Sequence, residues 1–218
     1  MATRLNRAQV VETALRLLNE VGPEGLTLRR IAKELNVQAP ALYWHFKNKQ
    51  ELQDEMATQM YRQMTGPFLG RSGSFGEGDW EQGLLTACRL IRHTLLGYRE
   101  GAKVFGGTRL ARDASHEPLE RLLESMVAAG FTLRQAARTW AVAYDYTIGF
   151  VVEEQSVYPV PGERDPAYDQ GDRERRIGAE FPLSVAAGEI LFDGFDEGFE
   201  EGLRIVLAGA RAVLRPGG

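Results

Sequence analysis

The sequence predicts an all-α protein in which a small basic N-terminal helical domain joins a larger, acidic helical one. Three observations predict it. Apolar residues recur at three- and four-residue steps along most of the chain, capping residues precede those runs, and no segment reads convincingly as a strand. At 218 residues the chain can bury a core without staples, and 44% hydrophobic with 26% charged residues excludes a disordered or fibrous chain.

The single Cys88 cannot form an internal disulfide, and three scattered histidines offer no zinc spacing, so no metal and no cofactor is expected. No apolar window is long enough to span a bilayer, and Met1 to Asn6 lacks the apolar core of a secretory signal, so the expectation is a cytoplasmic protein without membrane contact. Charge is segregated. Residues 1–50 carry eight Lys/Arg against four Asp/Glu, whereas residues 51–218 carry eighteen against twenty-six, which points to a polyanion contact confined to the N-terminal quarter.

The elements follow in order. Val10, Val11, Ala14, Leu15, Leu17, Leu18 and Val21 form one helical face behind an Asn6/Gln9 capping box, and Gly22-Pro23 stops that helix. Thr27 caps a second helix of about two turns bearing Leu28, Ile31, Ala32 and Leu35, and Asn36-Val37 is the turn after it. Ala39-Pro40 opens a third helix to about Phe46, and Asn48 with Glu51 caps a fourth to about Met64. Gly66-Pro67 and the run Gly70 to Gly78 mark the boundary, giving an N-terminal domain over 1–48, a connecting helix over 49–65 and a larger domain over 66–218. There the spacing predicts helices near 79–98, 101–112, 117–129, 133–155 (capped by Thr132 with Gln135) and 187–214. Segment 156–182 is rich in proline and charge and is expected to be a mobile loop.

The second and third helices and their turn make a helix-turn-helix frame, so the N-terminal unit is a three-helix domain of that type, whose later helix fits the major groove. Gln38, Tyr43, Trp44 and His45 supply groups for base edges, while Arg29, Arg30, Lys33, Lys47 and Lys49 flank them for phosphate. A solvated basic face on a small bundle is the competing reading. Adjacent Tyr43 and Trp44 weigh against it, because two large aromatics on a short helix cannot both enter one core.

Leu26-Thr27-Leu28-Arg29-Arg30-Ile31-Ala32 and Pro40-Ala41-Leu42-Tyr43-Trp44-His45-Phe46-Lys47-Asn48-Lys49 closely resemble the DNA-binding signature of the TetR family of transcriptional regulators. Arg4 to Arg7, Tyr98 to Val104, Thr108-Arg109 and Gly130 to Arg134 extend the similarity toward its tetracycline-repressor subgroup. The resemblance implies a homodimer that binds a palindromic double-stranded operator and is released by a small effector. By position it places Thr27, Arg29, Gln38, Ala39, Pro40, Ala41, Tyr43, Trp44, His45 and Lys49 at the DNA. Ala39 and Ala41 stand where the subgroup carries polar base-contacting residues, which implies apolar and shape readout there.

The resemblance also implies a C-terminal domain that binds the effector and dimerises through its last two long helices. Gly194, Gly198, Gly202 and Gly209 allow close helix approach, either within the chain core or across that dimer interface. The subgroup's polar inducer contacts fall on Ala87, Leu122 and, in a looser alignment, Thr65, and its metal-ligating histidine falls on Phe105, which cannot ligate. Ile91, Ala137, Trp140, Ala141 and Tyr144 complete an apolar, aromatic set; Thr108 and Arg109 match the loop where inducer-driven movement starts. Glu153 aligns with a carboxylate of the metal's water shell, although a surface role is the alternative. The expected effector is therefore a flat, largely apolar or aromatic molecule held without metal. No nucleophile elbow, carboxylate pair or phosphate loop suggests an enzyme. A ligand-dependent activator, or a constitutive DNA-binding protein without effector, is the competing function.

Overall fold

The computed structural model describes residues 5–69, 79–111 and 114–214, and apart from one isolated bridge between Val160 and Glu163 every regular element among them is helical. Helix α1 (Arg7–Gly25) opens on the capping box: Asn6 Oδ1 accepts the Gln9 N–H at 2.9 Å, and Gln9 Oε1 accepts the Asn6 N–H at 3.2 Å. It breaks at Gly22, whose φ of 69° favours glycine, and a Cβ there would lie 3.1 Å from Arg99 Nε. Helix α2 (Leu28–Glu34) is capped by Thr27, whose Oγ1 accepts the Arg30 N–H at 3.2 Å. Asn36 then turns the chain at a left-handed φ of 54°, which asparagine tolerates.

Helix α3 (Ala39–Tyr43) is shorter than the spacing predicts. Beyond Tyr43 the chain tightens into a turn, in which the His45 and Phe46 N–H groups both donate to the Leu42 carbonyl at 2.9 Å. Helix α4 (Lys49–Leu69) starts with Asn48 Oδ1 accepting the Glu51 N–H at 2.8 Å, while the Glu51 carboxylate accepts the Lys47 N–H at 2.7 Å. The breaker run 70–78, on which the expected domain boundary rests, lies outside the described residues.

Helices α5 (Trp80–Leu96), α6 (Gly101–Phe105), α7 (Glu117–Ala128) and α8 (Leu133–Val157) form the body, with α8 packed against α5, α6 and α7. Helix α6 ends well before residue 112 because Gly106 and Gly107 follow it, the latter at φ 72°. One core cluster runs from Val10 and Leu18 through Met56 and Met60 to Leu95, Phe105 and Val151, so α4 is buried against both head and body. A second gathers Trp80, Leu84, Met126, Phe131, Ala143, Phe199 and Leu203.

The C-terminal third departs from the sequence expectation in two places. The helix expected over 187–214 is two helices, α10 (Pro182–Leu191) and α11 (Phe195–Gly209), separated by Gly194 at φ 59°, with a π-helical turn over Ala210–Leu214. Segment 156–182, expected as a mobile loop, contains α9 (Gln170–Ile177). Arg173 donates to the Ser184 carbonyl at 3.2 Å and lies 5.0 Å over the Phe192 ring, and Arg164 lies 5.6 Å from the Tyr158 ring centre. Guanidinium planes and stems thus do the packing that a count of apolar residues assigns to nothing.

Two of the glycines on α11 serve the chain's own core. A Cβ on Gly202 would collide with the Tyr146 hydroxyl and one on Gly198 would lie 3.7 Å from Phe150, both on α8. Tyr146 donates to the Gly198 and Phe199 carbonyls at 3.2 and 3.1 Å and stacks on Phe199 at 5.7 Å. Close approach of α8 and α11 within one chain is therefore what these two glycines permit.

Candidate DNA interface and effector pocket

The head presents its polar and aromatic groups outward. Trp44 is 89% exposed and Tyr43 57%, while Leu42 between the two short helices and Phe46 after them are buried. Local geometry explains the split, because a five-residue helix has one inward face and Leu42 occupies it. Thr27, Arg29, Gln38, Pro40 and Lys49 are also exposed, and Ala41 and His45 are half-buried. Ala39 is likewise half-buried, one side of it packed against the head core. The Thr27 hydroxyl oxygen is already the α2 cap, and Lys49 Nζ donates back to the Pro23 carbonyl at 3.4 Å.

Arg7 fastens the end of the reading segment. Its guanidinium donates to the His45 carbonyl, pairs with Glu51 at 3.1 Å and Glu55 at 2.9 Å, and lies 4.4 Å over the Phe46 ring. The Lys47 N–H, and then Arg7, hold the Glu51 carboxyl below the usual carboxylate range. Recognition segment and α4 are thereby one local body.

In the C-terminal part, α4 to α8 enclose a cavity of about 310 Å³. Tyr61, Met64 and Thr65 of α4, Ala87 and Ile91 of α5, Phe105 of α6, Leu119 and Leu122 of α7, and Trp140 and Tyr144 of α8 form its walls; Thr108, Leu110, His116 and Pro118 form its rim. Trp140 and Tyr144 sit one helical turn apart with ring centres 5.8 Å apart. The Thr65 and Thr108 hydroxyls donate to the Tyr61 and Phe105 carbonyls at 2.9 and 2.6 Å, leaving oxygen lone pairs for a guest. Burial raises the phenols of Tyr61 and Tyr144 above the ordinary tyrosine value, so both remain hydroxyls.

Seven of the ten residues expected at the effector are brought together here: Ala87, Ile91, Phe105, Thr108, Leu122, Trp140 and Tyr144, with Thr65 beside them. Arg109, Ala137 and Ala141 are not in the lining. Arg109 is exposed, its backbone N–H held by Asp54, while Ala137 and Ala141 share the α8 stripe of Trp140 and Tyr144, three residues before each, and only the larger rings line the cavity. Glu153 is exposed, and Glu154 beside it is buried in an ion pair with Arg92 at 2.7 Å. The sequence reading missed Tyr61, Met64, Leu110, His116, Pro118 and Leu119. Tyr61, Met64 and Thr65 stand at i, i+3 and i+4, a signal available in α4; His116 reads as a surface residue because a helix N-terminus alone does not say what lies opposite. Among the described residues the lining offers one imidazole and no carboxylate or thiol, a donor set that does not fit a divalent cation, which takes several oxygen ligands.

A helical reading head fused to an apolar pocket through one shared helix defines a one-component regulator of transcription. The N-terminal part matches the family model of bacterial regulatory proteins of the tetR family over residues 10–56, and residues 73–214 match the tetracyclin repressor-like C-terminal domain. The chain belongs to the TetR family. It is 36% identical to the tetracycline repressor protein class A from transposon 1721 of Escherichia coli, over 98% of this chain and 95% of that protein. A possible TetR family transcriptional regulator from Streptomyces coelicolor A3(2) superposes with a TM-score of 0.81 at 36% identity, over 95% of this chain and all of the other. A TetR variant from Acinetobacter baumannii AYE in complex with minocycline gives 0.74 at 30% identity, over 98% of this chain and all of the other.

Proposed function

We propose that this protein is a ligand-responsive transcriptional repressor that binds a palindromic operator as a homodimer and leaves it when a flat, largely apolar or aromatic effector fills the pocket. The observation that carries the reading is the composition of the cavity wall: Phe105, Trp140, Tyr144, Ile91 and Leu122 supply stacking and apolar surface, with few polar groups among them. The minocycline complex of the Acinetobacter baumannii relative supports a small-molecule ligand for this chain. The chemistry here favours a molecule that needs no bridging cation.

At the DNA, Gln38, Tyr43, Trp44 and His45 would meet base edges, and Thr27, Arg29, Ala39, Pro40, Ala41 and Lys49 would meet backbone and thymine methyl groups. Dimerisation would use the outer faces of α8 and α11, where Val142 is 54% and Ile205 73% exposed. Two heads about 34 to 36 Å apart would then read successive major grooves. The test is selection from a random duplex pool by the full-length protein without ligand at near-physiological salt, since low salt rewards nonspecific phosphate contacts. Enrichment of one inverted repeat is the expected result. A folded dimer that enriches no sequence would remove operator binding as its function.

A further inference from the structure

Three hydroxyl protons in the pocket wall are already spent. Tyr61 donates its own to the Ser115 carbonyl at 2.6 Å, Thr65 to the Tyr61 carbonyl at 2.9 Å and Thr108 to the Phe105 carbonyl at 2.6 Å. All three residues line the cavity, Tyr61 and Thr65 one turn apart on α4 and Thr108 just beyond α6. A hydroxyl has one proton and two lone pairs, so each of these oxygens can still accept a hydrogen bond but can donate to a guest only by giving up a bond it holds. This side of the pocket is a set of acceptors.

The α8 side has the opposite polarity. The Trp140 indole N–H can only donate, burial keeps the proton on the Tyr144 hydroxyl, and neither group hydrogen-bonds to any described residue. Charge narrows the choice of guest further. Among the described residues no carboxylate lines the cavity, so an ammonium donor would be buried without a counter-charge, a cost that a neutral O–H does not carry. We propose that the effector is a hydroxyaromatic compound whose neutral O–H groups meet Tyr61, Thr65 and Thr108, with its acceptor oxygens turned to Trp140 and Tyr144. A ring bearing only carbonyl or ether oxygens would set acceptor against acceptor on the α4 side, and relieving that contact would break one of the three bonds above. The proposal deepens the ligand-responsive reading and rests on it.

The test compares naphthalene-2,6-diol with 2,6-dimethoxynaphthalene, which keeps the ring and both oxygens but has no proton to donate. Dissociation constants for the full-length protein are measured by calorimetry at pH 7. The diol should bind the wild type about fivefold or more tightly than the ether, the worth of one net hydrogen bond. Thr65→Val combined with Thr108→Val keeps the shape of the wall and removes two acceptors, so the two compounds should then bind about equally. The ratio within each protein is the readout, which a general loss of packing would not move, and a preference that came only from the larger size of the ether would persist in the valine variant. A wild type that does not prefer the diol, or a valine variant that keeps the full preference, overturns the proposal while leaving an aromatic effector in place. A wild type that binds neither compound removes the aromatic-effector reading itself.

Discussion

Asn19 on α1 holds the backbone of Arg99 in the turn before α6: its Oδ1 accepts the Arg99 N–H at 2.8 Å while its Nδ2 donates to the Gly97 carbonyl at 3.2 Å. This is a tie between head and body. Gln155 of α8 braces the same turn from below, donating to the Leu95 and Tyr98 carbonyls at 3.0 and 2.8 Å and accepting the Ala102 N–H at 3.0 Å. Replacing Asn19 by Ala frees the head at this point. Operator affinity, measured by fluorescence anisotropy, should fall several-fold, and stability should drop by about 1 kcal/mol, the net worth of a hydrogen bond or two. Wild-type affinity would show that the tie does not orient the head.

The glycines of α11 are not equivalent. Alanine at Gly202 would push Cβ into Tyr146, and overpacking of this kind costs about 1–3 kcal/mol. A Cβ added at Gly209 would meet nothing within 4 Å, so alanine there should instead stabilise the helix by up to about 1 kcal/mol. Thermal unfolding at low protein concentration should therefore shift down for Gly202→Ala and stay level or rise for Gly209→Ala. Equal shifts would contradict the intrachain packing of α11 on α8.

Effector binding should not depend on magnesium. Anthraquinone-2-carboxylate, a planar three-ring probe, should raise the melting temperature by the same amount in EDTA and in magnesium. At a hundredfold excess over Kd the gain is about 2.7 kcal/mol. Phe105→Ala should reduce the shift by removing a stacking face. A probe-induced shift that appears only with magnesium would return the pocket to metal-chelate recognition.

Burial pushes the Cys88 thiol up to about 11, and its Sγ lies 3.8 Å from the Ala143 carbonyl. Because the thiolate is the nucleophile, the native protein should resist alkylation by iodoacetamide at pH 8 and react only after unfolding. The native state keeps this proton while the unfolded chain loses it near 9.0, so the native state binds more protons in that interval and stability falls as pH rises from about 9 to 11. The urea midpoint should drop between pH 8 and pH 10, and less so for Cys88→Ala. Fast labelling of the folded protein would refute the burial.

The helical class, the N-terminal caps and the reading segment were legible in the sequence because their causes are local. Asn6 meets Gln9 and Thr132 meets Gln135 three residues away, and Leu42 takes the single inward face of α3 whatever surrounds it. Part of the pocket was legible too, since Trp140 and Tyr144 share a helical face and position relative to a known family fixes Phe105. The tertiary structure alone decided the rest. Arg109, Ala137 and Ala141 fall outside the pocket while Tyr61 and His116 enter it, because the lining depends on side-chain reach and on what packs opposite, which helical spacing does not carry. The tie from Asn19 to Arg99, the hydrogen bond from Tyr61 to Ser115 and the seat of Gly202 on Tyr146 each join residues far apart along the chain. Such pairs leave no periodicity in a sequence; they exist only where packing brings two surfaces together.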